Sequence, residues 1–551
     1  MPAPLVLNFL FLPNISVALS PPVPPFVPAA LRHLTKLSRP YHAAAAVFFL
    51  VAGVLVFGPF LWTMPEGFHV WPQTDRLALA TNFYDFGFDF WHPRTSSLQS
   101  IGGITGVEFP IQPYLAAMGG LLFGRGNIVA VFRALDAGAA ILGCWFLFRI
   151  VFERTGSFAA GLLPGAFLLT APTYIFYAGS TLPDPFSLSL TFVGYYYWLR
   201  YFDERHFADL LGALAVLTLA SLIKTTCGLH LAAVASITLL YAFLEPDRLT
   251  PRQRVQLLAT LAAGVALIVG FYFHNAQLNA TYQSQQFLAA AMPPEGVETW
   301  HEYLRVFKGS WIDEYFTRTQ YRIFFAGAAL CLVLGRRSWR QARPLLLLLL
   351  ASVAIGFLFY QLMGGQLAVH DYYMICSFLP PVVLSVVLAL VLVSPTVQAS
   401  RLRQALTVGL LLLAVYLVRS GVRQYAGRMS DDHPPASLYY THRWMRGGAA
   451  LLQRAGVLPR ARVLVLGDYS PNMALVYFDR RGRNMATYLP DTKVAQVVEY
   501  MSAFGLEYVI MQPVDYARLS LEQTAMKEAF APVLERPVAV LRLRHPERIA
   551  W

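Results

Sequence analysis

Residues Trp71–Arg94 read WPQTDRLALATNFYDFGFDFWHPR, and Gly102–Pro113 read GGITGVEFPIQP. Together they form a polar island between runs apolar enough for a bilayer. Ionisable groups beside a bilayer are costly unless they pair or work, so acids and bases gathered there point to a site. Asp75, Glu108, His92 and Arg94 are the first candidates. The stretch TDRLALATNFYDFG has helical character: Thr74 stands as an N-cap, Gly87 as a stop, and Leu77, Ala80, Phe83 and Tyr84 share a face. That reading puts Asp75 in the first turn, near the positive end of the dipole, where a carboxylate stays ionised. A capping role is the plainer account of such an aspartate, but its place directly after the first long apolar run favours chemistry.

The residues around the island set the class. The chain has 551 residues, 56% of them hydrophobic and only 13% charged, with a mean hydropathy of +0.49. Soluble domains carry about 25% charged residues, so this is a polytopic membrane protein. The formal charge of +12 does not indicate nucleic acid, because the basic residues fall in short clusters between apolar runs. Cys144, Cys227, Cys331 and Cys376 all lie in apolar segments without paired spacing, so neither a disulfide framework nor a zinc knuckle is indicated.

Residues 1–42 are rich in proline and read as an irregular cytoplasmic tail, with no cleavable leader pattern. Candidate spans follow near 43–63, 128–150, 158–178, 186–201, 207–223, 227–244, 255–273, 321–335, 343–360, 373–393 and 404–420, about eleven helices within 43–425. The stretch 113–124 is too short to cross and lies at the interface or re-enters. Alternate loops hold Arg149 and Arg154; Arg200 and Arg205; Arg248, Arg252 and Arg254; Arg336, Arg337, Arg340 and Arg343; Arg401 and Arg403. The opposite short loops, about 179–185, 224–226 and 361–372, hold only Lys224 among lysines and arginines. The basic side is cytoplasmic by the positive-inside rule. The first outer loop, 64–127, and the long loop 274–320 then face outward, the latter with room for short amphipathic helices.

From about 430 to 551 the composition is that of a soluble extracytoplasmic α/β domain. ARVLVLGD (461–468), LEYVIMQ (506–512) and VAVLRLR (538–544) read as strands, and DTKVAQVVEYMSAFG (491–505) as a helix. No GxGxxG follows the first strand, so nucleotide binding has little support; a structural cap over the outer face is the plain reading.

Five elements in order on the outer side resemble the GT-C superfamily of integral-membrane glycosyltransferases, especially bacterial relatives of protein O-mannosyltransferases and the lipid A aminoarabinose transferase. Asp75 in QTDRLALATNFYDFGFDFWHPR matches the family's catalytic aspartate after the first span, and EFPIQPYLAAMGGLLFG resembles its second acidic motif, with Glu108 as the acid. STLPDPF places Asp184, SLIKTTCG places Lys224, and AVHDYY places His370, Tyr372 and Tyr373 where relatives carry an acid, a phosphate-holding base and a His-containing loop. Many relatives have a second acid after the catalytic aspartate; here Arg76 stands there, which puts any metal role for an acidic pair in doubt.

The resemblance implies an inverting transferase of the bacterial inner membrane that moves a sugar from a polyprenyl-phosphate donor to a hydroxyl of a lipid, glycan or protein acceptor. Such a reaction needs a base on the acceptor oxygen and positive charge on the leaving phosphate. Asp75 fits the base, Glu108 and Asp184 supporting acids, and Lys224 the phosphate contact, helped by Arg76, Arg94 or His370. Each has a plainer reading: Asp184 as a turn former between prolines, Glu108 as a solvated acid, Lys224 as an interfacial snorkeller. His370 and Asp371 are neighbours and cannot both face one way, so one is structural. His69, His92, His301 and His370 offer a divalent metal ligands in no recognised pattern. The alternative, a transporter or lipid-linked sugar flippase, would show mid-span charges and related halves, and neither is visible.

Overall fold

Pro40 sits in the first turn of the first helix, where its missing N–H has no intrahelical partner to lose. The helix thus begins at Arg39, a turn earlier than the tail read over 1–42. The computed structural model describes residues 38–287, 291–334, 342–399, 401–430, 442–485 and 493–545; the tail up to residue 37 lies outside them, as do Arg336, Arg337 and Arg340 of one basic loop.

In chain order the helices are α1 (Arg39–Phe57), α2 (Val70–Phe86), α3 (Ile111–Phe123), α4 (Ile128–Thr155), α5 (Phe158–Leu168), α6 (Pro172–Ala178), α7 (Pro183–Glu204), α8 (Phe207–Ile223) and α9 (Gly228–Leu244). There follow α10 (Pro251–Thr281), α11 (Val297–Val306), α12 (Ile312–Tyr315), α13 (Arg318–Leu334), α14 (Arg343–Val369), α15 (Leu379–Ala399) and α16 (Arg403–Arg428). Among the described residues, seven stretches are long and apolar enough to cross a membrane, and an eighth if the pair α5–α6 counts as one. Among the described residues each stretch read as a span is largely helical, though the span read over 373–393 becomes regular helix only from Leu379; α8 and α13 have only 17 residues each and α7 is rich in tyrosine and serine.

The stretch 158–178 is not one straight span: α5 and α6 meet at 81°. Pro172 opens α6 and keeps Ala171 extended, so no helix can run through. The bend is fastened to α16, where the Thr170 hydroxyl donates to the Leu417 carbonyl at 2.7 Å. Gly421 makes the approach possible, since a Cβ there would lie 2.1 Å from the Leu169 carbonyl oxygen. A second break falls at Met363 in α14. There the Met292 N–H donates to Leu362 and its carbonyl accepts from Gly365 (3.1 and 3.0 Å), so a neighbouring backbone enters the helical ladder.

The C-terminal part comprises α17 (Gly448–Arg454), β1 (Arg462–Leu466), α18 (Met473–Tyr477), β2 (Arg481–Met485), α19 (Val494–Ala503), β3 (Tyr508–Met511), α20 (Pro513–Leu519), α21 (Gln523–Ala529), β4 (Phe530–Leu534) and β5 (Ala539–Leu543). The sheet order is β2-β1-β3-β5-β4, with β1 parallel to β2 and β3 and the remaining pairs antiparallel. Alternate side chains face opposite ways, as pleating requires. Val463, Val465, Ile510 and Val540 pack with Met445 and Phe478, while Leu464, Val509 and Leu541 pack with Val494 and Val497 of α19.

This sheet is joined to the island by its backbone. The Leu98 N–H donates to the Gly482 carbonyl at 2.7 Å, and the Gly482 N–H to Ser96 at 3.1 Å, so residues 96–98 extend the open edge of β2. Val70 of α2 lies in the apolar cluster on one sheet face.

Gly421→Val should drive α16 off the α5–α6 bend and lower the unfolding midpoint of the detergent-solubilised protein, a loss of roughly 1–3 kcal/mol. Gly427→Ala on the same helix, with open space around it, should leave the midpoint in place; equal losses would refute close approach as the cause.

Candidate active site

The chain leaves α1 through Gly67 (φ +80) and His69 (φ 46). At Gly67 a side chain would also meet the Arg428 carbonyl oxygen at 2.6 Å, so only glycine allows this reversal. The α2 helix then starts at Val70 with Pro72 in its first turn. Thr74 is therefore not the N-cap: its hydroxyl donates back to the Val70 and Trp71 carbonyls at 3.0 and 2.7 Å. Asp75 is correspondingly past the first turn, and the dipole does not account for its ionisation. Gly87 does end the helix, at φ 96.

Asp75 is 5% exposed. Its Oδ1 accepts from the Asn472 amide at 2.8 Å. Burial raises its carboxyl to about 7, with nearby Asp468 adding to the rise and Asn472, Arg76 and Trp71 opposing it. Arg76 turns from Asp75 towards Glu108, with which it forms an ion pair. The loop holding Glu108 is fastened to α8 through the Phe109 N–H and the Leu222 carbonyl, 3.2 Å apart.

Lys224 caps α8 in an extended conformation. Its Nζ lies 3.2 Å from Glu108 Oε1 and 3.3 Å from Asp184 Oδ1. Asp184, in the first turn of α7, is 1% exposed. Burial would depress the Lys224 ammonium, but Asp184 and Glu108 outweigh it and hold its pKa well above the ordinary value. For Glu108, burial pushes up, yet Lys224 and Arg76 prevail and hold it below the usual range. The Lys224 ammonium lies 5.1 and 5.8 Å from the ring centres of Tyr373 and Tyr372.

The loop after α14 divides the labour of His370 and Asp371. Asp371 is fully buried and structural: it accepts from the Tyr177 hydroxyl at 2.6 Å, pairs with Arg428 at 3.2 Å and lies 3.3 Å from His69 Nε2. His370 stacks on the His69 ring, centres 5.5 Å apart. Burial, reinforced by His69, lowers the His370 imidazole to about 4, so at neutral pH it offers hydrogen bonds and no charge.

Asp75, Arg76, Glu108, Asp184, Lys224, His370, Tyr372 and Tyr373 thus gather at one end of the helical bundle. Arg94 does not join them; it lies over the Phe86 ring beside Arg481 of β2. The four histidines do not converge either. His92 pairs with Asp89, and His301 packs on Trp300. Among the described residues one potential ligand group converges, Glu204, His206 and Asp209, in a turn beyond α7 where Asp209 is already paired with Arg200. Reading the sequence missed Asn472 and Arg428, neither of which stands in a motif, and named His69 only as one of four histidines that could hold a metal.

Residues 108–273, which include Glu108, Asp184 and Lys224, match the family model described as dolichyl-phosphate-mannose-protein mannosyltransferase. Comparison with curated protein sequences gives no match. The crystal structure of ArnT from Cupriavidus metallidurans bound to undecaprenyl phosphate has a TM-score of 0.52 at 15% identity, over 92% of this chain and 98% of that one. The apo structure of the same protein gives 0.51 at 14% identity, over 93% and 98%. At such identity the likeness is one of fold, and it agrees with the fold expected from the resemblance to the GT-C superfamily.

Lys224→Met would strand the Asp184 carboxylate, while Glu108 keeps Arg76, and breaking a buried pair costs about 3–5 kcal/mol. Thermal unfolding in detergent should show that loss largely recovered when Asp184→Asn is added; strictly additive losses would mean that ammonium and carboxylate are not coupled.

Proposed function

We propose that this protein is an inverting membrane glycosyltransferase that moves a sugar from a polyprenyl-phosphate donor to an acceptor hydroxyl on the extracytoplasmic side. The observation that carries this reading is the placement of a buried carboxylate, Asp75, on the helix whose next residue, Arg76, shares the Glu108 carboxylate with Lys224; burial lifts the Asp75 carboxyl to about 7. A base poised near the working pH combines the ionised form with adequate driving force. The GT-C fold and the family match over 108–273 support a sugar transferase, and the undecaprenyl phosphate on the structural neighbour supports a lipid-phosphate carrier.

Asp75 takes the proton as the acceptor oxygen bonds to the anomeric carbon from the face opposite the phosphate. The bond between that carbon and the phosphate oxygen breaks, and the electron pair leaves with the lipid phosphate. Glu108 and Asp184 hold the Lys224 ammonium by ion pairing, and its N–H donors serve the phosphate. Glu108 and Asp184 are therefore supports that hold the cation in place. Tyr372, Tyr373 and neutral His370 border the ammonium and serve as hydrogen-bonding walls for donor headgroup or sugar. Arg94 is too committed to the sheet interface to share in this contact. The site lies on the side of the short loops that hold only Lys224 among lysines and arginines, and the positive-inside rule supports an extracytoplasmic setting.

Asp75→Asn should lower transfer about 10²–10⁴-fold while the protein still folds and inserts, read as the mass of cell-envelope glycans in strains carrying each form. Retained product would remove Asp75 from the mechanism. Because the Asp75 pKa is raised, kcat/KM should fall as pH drops through about 7 and level off above it; a profile flat from pH 6 to 8 would contradict a base titrating there.

A further inference from the structure

The plain reading of the C-terminal domain is a cover. Its contact with Asp75 points further. Asn472 is fully buried at the start of α18, and both ends of its amide are engaged. Its Oδ1 accepts from the Ser97 N–H at 2.9 Å. With a backbone donor on the oxygen, the amide has one orientation left, and the nitrogen faces Asp75 Oδ1 at 2.8 Å.

The loop carrying Asn472 is itself braced. Asp468 accepts from the Ser470 N–H and hydroxyl at 2.9 and 3.0 Å, from the Ala474 N–H at 2.7 Å and from the Asn484 amide at 2.7 Å. Asn484 belongs to β2, the strand whose Gly482 pairs with residues 96–98. Ser97 lies in that same segment. The contacts close a ring: sheet edge to island, island to Asn472, Asn472 to Asp75, and the Asn472 loop back to the sheet. The groups facing Asp75 are Arg76 and Trp71 on its own helix and Asp468 and Asn472 from the C-terminal domain.

We infer that Asn472 is the positioning residue for Asp75, so that the transferase site is complete only when the C-terminal domain is seated on the island. The inference rests on the reading of Asp75 as the base. The amide holds one carboxylate oxygen and so fixes the direction in which the group meets the acceptor hydroxyl. The same bond favours the ionised carboxylate against its burial.

The test titrates Asp75 in the detergent-solubilised full chain by infrared spectroscopy, following the protonated-carboxyl band that Asp75→Asn removes. No sugar substrate is needed. Asn472→Ala should move the midpoint up by about one pH unit, through loss of a hydrogen bond to the charged form. Asn472→Asp, which keeps the shape and guards against a folding failure, should move it up as well, through a like charge. Arg125→Ala loosens the same interface away from the site, where Arg125 bridges Asp85 and Asp479 at 2.8 Å; it should leave the midpoint unchanged. An unmoved midpoint in both Asn472 variants overturns the inference, as does an equal shift in Arg125→Ala, which would make domain seating alone responsible. Either result would leave the transferase reading standing, whereas full transfer by Asp75→Asn would remove that reading whatever the titration shows.

Discussion

The structure of this site depends on one buried ammonium. Lys224 lies between Glu108 and Asp184, and each of the three comes from a different part of the chain: the end of α8, the loop before α3 and the first turn of α7. An isolated lysine so far from water would shed its proton. Two carboxylates at 3.2 and 3.3 Å make the charged form the stable one. The pairing therefore locks three elements together and, on the function proposed above, keeps a positive charge available to a phosphate. Arg76 closes the group from the other side of Glu108, so the arginine that stands where many GT-C transferases carry a second acid is absorbed as a second cation.

Around this group the fold is built to bring broken helices together. The α5–α6 bend closes its own backbone bonds and is held by the Thr170 hydroxyl on the Leu417 carbonyl, whereas at the Met363 break another backbone enters the interrupted ladder, through Met292 with Leu362 and Gly365. Irregular backbone at such depth persists only when its polar groups are satisfied by protein. The second break precedes the loop that presents His370, Tyr372 and Tyr373.

Much of this was legible in the sequence because the informative residues were polar types beside apolar runs. Asp75, Glu108, Asp184 and Lys224 each follow or precede a long hydrophobic stretch, and the structure brings them to one end. The misreadings have local causes. Thr74 resembled an N-cap, but Pro72 marked a first turn already under way. The strand β2 has the polar sequence RGRNM, and β4 carries Pro532, so neither shows the apolar alternation of a strand. Arg94 lies over the Phe86 ring that it shares with Arg481, on a surface that only tertiary packing creates. Asn472 stands 397 residues from the aspartate it touches, a pairing no local pattern records.

Residues 96–98 complete the edge of a sheet formed some four hundred positions later in the chain. The two segments are thus a matched lock and key that must be inherited as a set. In a chimera exchanging C-terminal domains between relatives of this fold, the graft junction would lie in two places, and a donor domain would need its own version of the 96–98 segment to find a mate.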